Sequence, residues 1–285
     1  MTALLLALAV SASAASGAYQ AELKRIAAQG YRPESSAEAV VSQGILRAVV
    51  FKKGDGAQRL YVTLEAASQV KTLHMELGGA QKIALDGVHG EGKLPDLGQD
   101  GGRVIAYRLT APALEQESLI VLRWAGGRLE KTARLPGGRF LDVDGDGRPE
   151  AVTRERPLGP LFTISCSSFH TMAQAAWRSE VYAWRNGSLV KASQNYKPFY
   201  DERIAQTRGR AAAIDARATD DYGGFFGLTL SLYFDYAASG RSREGWTEFR
   251  RLYPVRASDP GPVKKCLGQM ETELKRRLNI PDGWQ

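Results

Sequence analysis

The segment from Phe140 to Val152 constrains the fold of this chain more than any other part of the sequence. It reads FLDVDGDGRPEAV, with aspartates at every second position and glycines at 145 and 147. Carboxylates spaced in this way converge only if the chain curls around a centre, and Gly147 at the sixth position permits the sharp turn. The flanking residues are typical of strand ends, so the pattern predicts a tight acidic loop between two strands.

The residue types of this loop are those of a calcium site. Calcium is a hard cation that takes six to eight oxygen ligands at about 2.3–2.6 Å. Position 12 is Thr153, where a helix–loop–helix calcium site has a bidentate Glu. Magnesium fits less well because it demands stricter octahedral geometry, and a polar Gly-Asp turn without an ion is the alternative. We expect calcium to be bound by four side chains and one backbone carbonyl: those of Asp142, Asp144, Asp146 and Glu150, and the carbonyl of Arg148.

The loop and its apolar flanks resemble the calcium loops of FG-GAP and VCBS-type repeats. Such repeats build integrin-like β-propellers and occur in many exported bacterial proteins. The resemblance covers roughly Leu119 to Ser193 and includes one acidic loop. It therefore implies a single blade-like β unit, in which the ion stiffens a turn and does no chemistry.

Two similar stretches flank the acidic loop. Trp124-Ala-Gly-Gly-Arg-Leu129 matches Trp184-Arg-Asn-Gly-Ser-Leu189, sixty residues further on. Asn186-Gly187 is a strong signal for a type I′ hairpin because both residue types accept positive φ. The match predicts two hairpins of a β-hairpin repeat, lying as neighbours in one sheet, although two unrelated hairpins remain the alternative.

The first residues have the composition of a secretory signal. The segment Met1–Ala14 has no charged side chain, and Leu4–Val10 is an apolar run of the length of a signal h-region. Ala12-Ser13-Ala14 is a small-x-small cleavage signal, which predicts a signal peptide over residues 1–14 and a periplasmic or secreted mature chain. The usual basic residue at the start is missing, and a buried apolar helix is the alternative. No other segment is expected to span a membrane.

The chain contains two cysteines, Cys166 and Cys266. In an oxidising compartment such a pair is most simply a disulfide. It would close a loop of about a hundred residues, worth roughly 4 to 5 kcal/mol at most on the chain-entropy model. The alternative pairs Cys166 as a nucleophile with His170, but no third catalytic group is identifiable.

Strand and helix signals together predict an α+β fold. The N-terminal and central parts are β-rich, as an antiparallel sandwich or blade-like β unit, and the C-terminal part is helical. Short segments of β-forming residues, such as Leu60–Leu64, alternate with Gly- and Asp-containing turns. We expect three regions after the signal: a sandwich-like β domain over 15–118, blade-like hairpins with the calcium loop over 119–200, and helices over 201–285.

Two segments of the last region differ in how clearly they predict structure. Val263–Leu278 has an apolar stripe at helical spacing that includes Cys266, which predicts a helix. Residues 227–236 alternate like a strand but run into a typical helix C-terminus, Ala237-Ala238-Ser239-Gly240. We favour a helical hairpin there, with a strand as the alternative.

Charge and motifs limit the function classes. The net charge of +7 favours weak attraction to anionic surfaces, but no nucleic-acid-binding motif accompanies it. There is no Gly-x-Ser-x-Gly or His-Glu-x-x-His motif, and His74, His89 and His170 show no ligand spacing. We expect no catalytic residue, and a binding or scaffold role toward a protein or glycan partner. The alternatives are an exported hydrolase without a recognisable motif, or a cell-envelope adaptor acting through its basic C-terminal helices.

Cleavage after Ala14 makes a simple prediction about the exported protein. Its first residue should be Ala15, because signal peptidase recognises the small side chains of Ala12 and Ala14. N-terminal sequencing of exported material tests this, and retention of Met1 would contradict it.

Overall fold

The computed structural model describes residues 16–111, 116–159, 175–214, 222–252 and 260–284. It has an α+β fold, as the sequence predicts, with three four-stranded antiparallel sheets followed by helices. The chain divides into two compact units, Met1–Phe140 with Trp184–Leu189, and Leu141–Ala183 with Val190–Gln285. The expected division into regions 15–118, 119–200 and 201–285 stays a prediction.

Two sheets of the first unit are simple meanders, in which consecutive strands pair. The strands of the first sheet are β1 (Tyr31–Val41), β2 (Gly44–Lys53), β3 (Gln58–Ala66) and β4 (Gln69–Leu77). Those of the second sheet are β5 (Lys82–Leu85), β6 (Arg103–Ala111), β7 (Gln116–Ala125) and β8 (Arg128–Pro136). A 3₁₀-helix, Gly87–Gly92, lies between β5 and β6.

The two sheets of the first unit share one apolar core. On β2 the side chains of Leu46, Ala48 and Val50 alternate inward, as expected for a strand with one face on the core. They belong to the same cluster as Ile105 of β6 and Ile120 of β7. Because both sheets contribute to a single cluster, they form a sandwich, which agrees with the turn-separated short strands of the sequence.

The outer face of the first sheet is covered by helix α1 (Gly17–Ala27). Ile26 of the helix packs in one cluster with Val49 and Phe51 of β2 and with aromatic residues of the neighbouring strands, Tyr31 and Tyr61. The sheet is therefore buried on both faces along β2, which explains its nearly continuous buried pattern.

An ion network lies beneath this helix. Arg47 of β2 is 4% exposed, and its guanidinium donates hydrogen bonds to the carboxylates of Glu38 and Glu65. The backbone N–H of Ser16 also donates to Glu65 at 3.1 Å, and the Ser16 hydroxyl caps α1 by accepting from the N–H of Tyr19. A buried charge is tolerable only when it is paired and hydrogen-bonded, so these contacts tie the start of α1 to the sheet.

The third sheet has the order β12-β11-β10-β9. Its strands are short: β9 (Arg139–Leu141), β10 (Glu150–Val152), β11 (Val181–Arg185) and β12 (Ser188–Lys191). In the antiparallel pairing of β10 with β11, Ala151 lies opposite Tyr182.

Both tryptophan hairpins form, but the prediction that they are neighbours in one sheet is wrong. Trp124 lies on β7 of the second sheet, and Trp184 lies on β11 of the third. Asn186 and Gly187 have φ values of 48° and 80°, as a type I′ turn requires. The guanidinium carbon of Arg123 is so close to Gly187 that an added Cβ there would lie 3.0 Å from it. The two hairpins thus share packing at one tip but not a hydrogen-bonded ladder.

Helices dominate the second unit. Those described are α2 (Lys197–Ala212), α3 (Tyr222–Ala238), α4 (Ser242–Leu252) and α5 (Gly261–Leu278). The segment 227–236 is helical, so the helical hairpin of α3 and α4 is confirmed and the strand alternative is wrong. Gly245 makes the contact between these helices possible, because a Cβ there would lie 2.4 Å from the Cβ of Tyr236. No helix in the described part of the chain combines the length and apolar character needed to cross a bilayer.

Most of the apolar stripe of α5 is buried as the sequence predicts, but Val263 at its start is exposed. Leu267, Met270 and Leu274 pack in one cluster with residues of α3 and α4, among them Trp246 and Phe249, which are fully buried. Cys266 packs against the same cluster and is disulfide-bonded. Its expected partner, Cys166, lies outside the described residues, so the pairing of these two cysteines stays a prediction.

One carboxylate of α3 is buried with incomplete hydrogen bonding. Asp235 is 1% exposed, and its Oδ1 accepts a hydrogen bond from Arg203 Nε at 3.0 Å. Its Oδ2 is buried without a partner. Burial disfavours the charged form and raises the pKa of Asp235 from 3.8 to about 6, against the opposing attraction of Arg203.

Asp235→Asn should therefore stabilise the protein at neutral pH. An acid whose pKa is raised on folding contributes stability below its unfolded pKa of 3.8, and loses it as the pH rises through about 6. The Asn variant does not ionise, so its unfolding free energy at pH 7 to 8 should exceed that of the wild type by up to about 3 kcal/mol. The difference should vanish near pH 4.

Chemical denaturation at several pH values measures this effect. Asp201→Asn is a suitable control, because Asp201 is an exposed carboxylate that also accepts from an arginine, Arg241. An Asp235→Asn protein that is less stable than the wild type at pH 7 would contradict the expectation.

Candidate metal centre

The acidic loop occupies the connection between β9 and β10. β9 ends at Leu141 and β10 begins at Glu150, so the loop joins two strands, as its flanking residues predict. Both strands belong to the third sheet. The short strands hold the two ends of the loop at a fixed separation, which leaves the residues between them to curl.

Three carboxylates converge at the tip of the loop. Oxygen atoms of Asp142, Asp144 and Asp146 all lie within 4.8 Å of one another, and all three side chains are exposed. The sequence predicts this convergence from their alternate spacing. Three negative groups at such short range repel one another unless water or a cation offsets the charge.

Backbone N–H groups of the loop hold these side chains in place. The two carboxylate oxygens of Asp142 accept hydrogen bonds from the N–H groups of Gly145 and Gly147, at 2.8 and 3.0 Å. Asp144 accepts from the N–H of Asp146 at 3.2 Å, and Asp146 accepts from that of Arg148 at 2.7 Å. Each bond turns the chain locally, as is usual for Asp side chains in turns. The carbonyl of Arg148 as a ligand stays a prediction.

The two glycines of the loop are required by its backbone. Gly145 and Gly147 have φ values of 77° and 82°, a region that residues with a Cβ rarely adopt. An added Cβ at either position would meet no atom within 4 Å. Glycine is therefore required at these positions for its backbone conformation and not for lack of space. This agrees with the sharp turn that the sequence predicts at Gly147.

Glu150 takes a different position from the three aspartates. It is 5% exposed and is not a member of the group within 4.8 Å. Its Oε2 accepts the N–H of Val143 at 3.2 Å, and its carboxylate is hydrogen-bonded to the side chain of Tyr196. Burial raises the pKa of Glu150, and the nearby charges of Asp144 and Asp146 act in the same direction. Its role as a metal ligand stays a prediction.

Two residues that the sequence analysis missed support the loop. Val143, between the first two aspartates, packs against a cluster that contains Val152 of β10 and Tyr200 of α2. Tyr196, directly before α2, packs against the same cluster and bonds to Glu150. Val143 could have been found as an apolar residue in an otherwise polar loop. Nothing in the sequence links Tyr196 to Glu150.

Neither His74 nor His89 belongs to the group of converging carboxylates in the acidic loop. His89 is buried, and its ring nitrogens contact backbone atoms of Lys93 and Ala106 at 2.9 to 3.3 Å. It therefore holds the chain between β5 and β6 in place. The alternative pairing of Cys166 with His170 falls outside the described residues.

Replacing Glu150 by Gln separates its structural role from a role in ion binding. A Gln side chain can still accept from Val143 and Tyr196, but it removes one buried negative charge near two aspartates. In chelator we expect Glu150→Gln to have a higher melting temperature than the wild type. In calcium we expect affinity to fall on the order of tenfold, because calcium sites are tuned by the number of charged ligands.

Melting curves in chelator and in calcium, together with calcium calorimetry, measure both effects. Glu130→Gln is the control, since it removes the same charge from an exposed position on β8, a strand of the second sheet. Unchanged calcium affinity in Glu150→Gln would remove Glu150 from the ligand set.

Comparison of the chain with protein-family models, curated proteins and solved structures found no significant match. The resemblance of the acidic loop to FG-GAP and VCBS-type repeats therefore stays a prediction that rests on residues 140–152 and their surroundings.

Proposed function

We propose that this chain is an exported calcium-binding protein in which the ion has a structural role. The observation that carries the proposal is the convergence of three exposed carboxylates, those of Asp142, Asp144 and Asp146, within 4.8 Å.

Calcium fits this donor set better than other common cations. The proposed ligands are all oxygens, which suit a hard cation, and neither His nor Cys takes part. The loop is exposed, and calcium accepts more irregular geometry than magnesium. Affinity should be low, since one loop without a bidentate Glu at position 12 offers few charged ligands. Calcium-binding modules outside the cell commonly have dissociation constants of about 10⁻⁴ to 10⁻³ M.

The ion would act on the second unit through the residues behind the loop. It would offset the repulsion among the aspartates and so stabilise the closed turn between β9 and β10. Val143 and Glu150 connect this turn to the apolar cluster and to Tyr196 at the start of α2. Calcium would thereby stiffen the surface formed by the turn, in keeping with a binding or scaffold role toward a protein or glycan partner. The amino-terminal signal and the cysteine pair support a periplasmic or secreted location for this role.

Asp144→Ala tests the proposal. At a hundredfold excess over the dissociation constant, an ion that binds only the native state stabilises it by about 2.7 kcal/mol. That corresponds to a rise in melting temperature of roughly 5 to 10 °C for a protein of this size. We expect this rise in the wild type and its near absence in Asp144→Ala, while both proteins remain folded in chelator.

Asp55→Ala provides the matched control. Asp55 is also an exposed aspartate in a Gly-containing turn, where it accepts the N–H of Ala57 at 2.9 Å. Its removal should leave the calcium-dependent rise intact. If calorimetry detects no heat of binding at millimolar calcium and chelator leaves the wild-type melting curve unchanged, the proposal is wrong and the loop is an acidic turn only.

A further inference from the structure

The edge strand β4 carries two polar residues on the side that faces the core of the sandwich. His74 lies opposite Val62 of β3, and Glu76 lies opposite Leu60. Residues directly opposite each other in an antiparallel pair lie on the same face of the sheet. Since Val62 and Leu60 are fully buried in the core of the sandwich, His74 and Glu76 lie on the core-facing side, where apolar residues would be expected.

A tyrosine of the second sheet completes this cluster. The hydroxyl of Tyr107 on β6 donates to Glu76 Oε2 at 2.9 Å and lies 3.1 Å from His74 Nε2. His74 Nε2 and Glu76 Oε2 are 3.9 Å apart. Three possible metal-binding atoms from the two sheets therefore lie within 3.9 Å of one another: one imidazole nitrogen, one carboxylate oxygen and one phenol oxygen.

The cluster is closed on one side and open on the other. Tyr107 is 1% exposed and packs in the core, so its position is fixed. The side chains of His74 and Glu76 are 29% and 32% exposed. The two donors on β4 are therefore partly accessible to solvent.

Neighbouring charges influence the protonation of the donors. Burial lowers the pKa of His74 against the opposing effect of the Glu76 charge, and Lys131 of β8 acts in the same direction as burial. Burial and Glu76 raise the pKa of Tyr107, which keeps it a neutral phenol without an ion, while Arg134 of β8 opposes this. Lys131 and Arg134 thus favour the deprotonated forms of His74 and Tyr107, which are the forms that bind a metal, although their positive charges also repel a metal ion.

We propose that His74, Glu76 and Tyr107 form a binding site for a transition-metal ion, with Cu²⁺ and Fe³⁺ as its representatives. With metal–ligand distances of about 2.0–2.2 Å, donors at right angles around an ion lie about 3 Å apart. The two shorter separations, 2.9 and 3.1 Å, fit that geometry. The third, 3.9 Å between His74 Nε2 and Glu76 Oε2, corresponds to a wider angle between these two ligands at the metal. This site is distinct from the acidic loop and does not depend on it.

The donor set selects the class of ion. Imidazole suits copper, iron, zinc and nickel, whereas calcium and magnesium prefer carboxylate, carbonyl and water oxygens. Lys131 and Arg134 weaken purely electrostatic attraction, so only an ion that forms strong bonds to its ligands should remain in this site. On binding, the metal replaces the phenol proton of Tyr107. One proton passes to solvent, and no group changes its oxidation state.

The test uses the full-length protein with Cu²⁺, or with Fe³⁺ supplied as its nitrilotriacetate complex, in calcium-saturated buffer. A phenolate bound to either ion gives a visible charge-transfer absorption that carboxylate sites lack. We expect a saturable band in the wild type, with an affinity that rises about tenfold per pH unit because one proton is released. Asp144→Ala should give the same band, which separates this site from the acidic loop.

Tyr107→Phe should abolish the band and lower the affinity at least about tenfold, and His74→Gln should lower the affinity similarly. Tyr61→Phe is the matched control, because Tyr61 is also a buried tyrosine of the sandwich and should leave the band unchanged. His74→Gln on the half-exposed edge strand keeps the test decisive if Tyr107→Phe fails to fold. The proposal is overturned if no band appears, if the band survives Tyr107→Phe, or if His74→Gln binds as tightly as the wild type.

Discussion

The structure of the first unit depends on burying alternate side chains of two meanders against each other. Leu46, Ala48 and Val50 of β2 face the interior, and Ile105 and Ile120 of the second sheet belong to the same cluster. An isolated four-stranded meander would leave one of its apolar faces in water, so neither sheet is expected to be stable alone. This requirement also fixes register, since a shift of one residue would turn the apolar side chains of a strand to the opposite face.

The acidic loop illustrates how a polar site is held by apolar and buried neighbours. Its three aspartates point to solvent and accept N–H groups of their own loop. The residues that connect it to the second unit are Val143, which packs in the cluster behind it, and Glu150, which is buried. The carboxylates of the loop are thus exposed to solvent, while Val143 and Glu150 connect the loop to the interior of the second unit.

Local patterns in the sequence predicted local structure well. Alternating apolar residues and turn glycines located the strands, and Asn186-Gly187 located a hairpin turn because its φ values depend on residue type. The segment 227–236 was ambiguous for a physical reason. Helix α3 is buried on most of its sides, so its apolar residues show no clear period of 3.6 that would separate a helix from a strand.

Long-range partners could not be predicted from the sequence. Turn chemistry specifies that Trp124 and Trp184 each precede a hairpin, but it contains no information on the sheet that each hairpin joins. The alternate spacing of the aspartates predicted their convergence, whereas the burial of Glu150 and its bond to Tyr196 depend on residues brought together only by folding. The cluster of His74, Glu76 and Tyr107 likewise combines two sheets and has no counterpart in any short motif.

Because α1 covers one face of the first sheet, its local unfolding affects the residues beneath it. The helix has only three turns and is too short to persist alone, so it is held by its contacts with the sheet and by the bonds of Ser16. Local detachment would hydrate the charges of Arg47 and Glu65 and, at the same time, expose the apolar side chains of Val49, Phe51 and Tyr61. The formation of α1 is thus coupled to the burial of both an ion pair and an apolar face of the sheet.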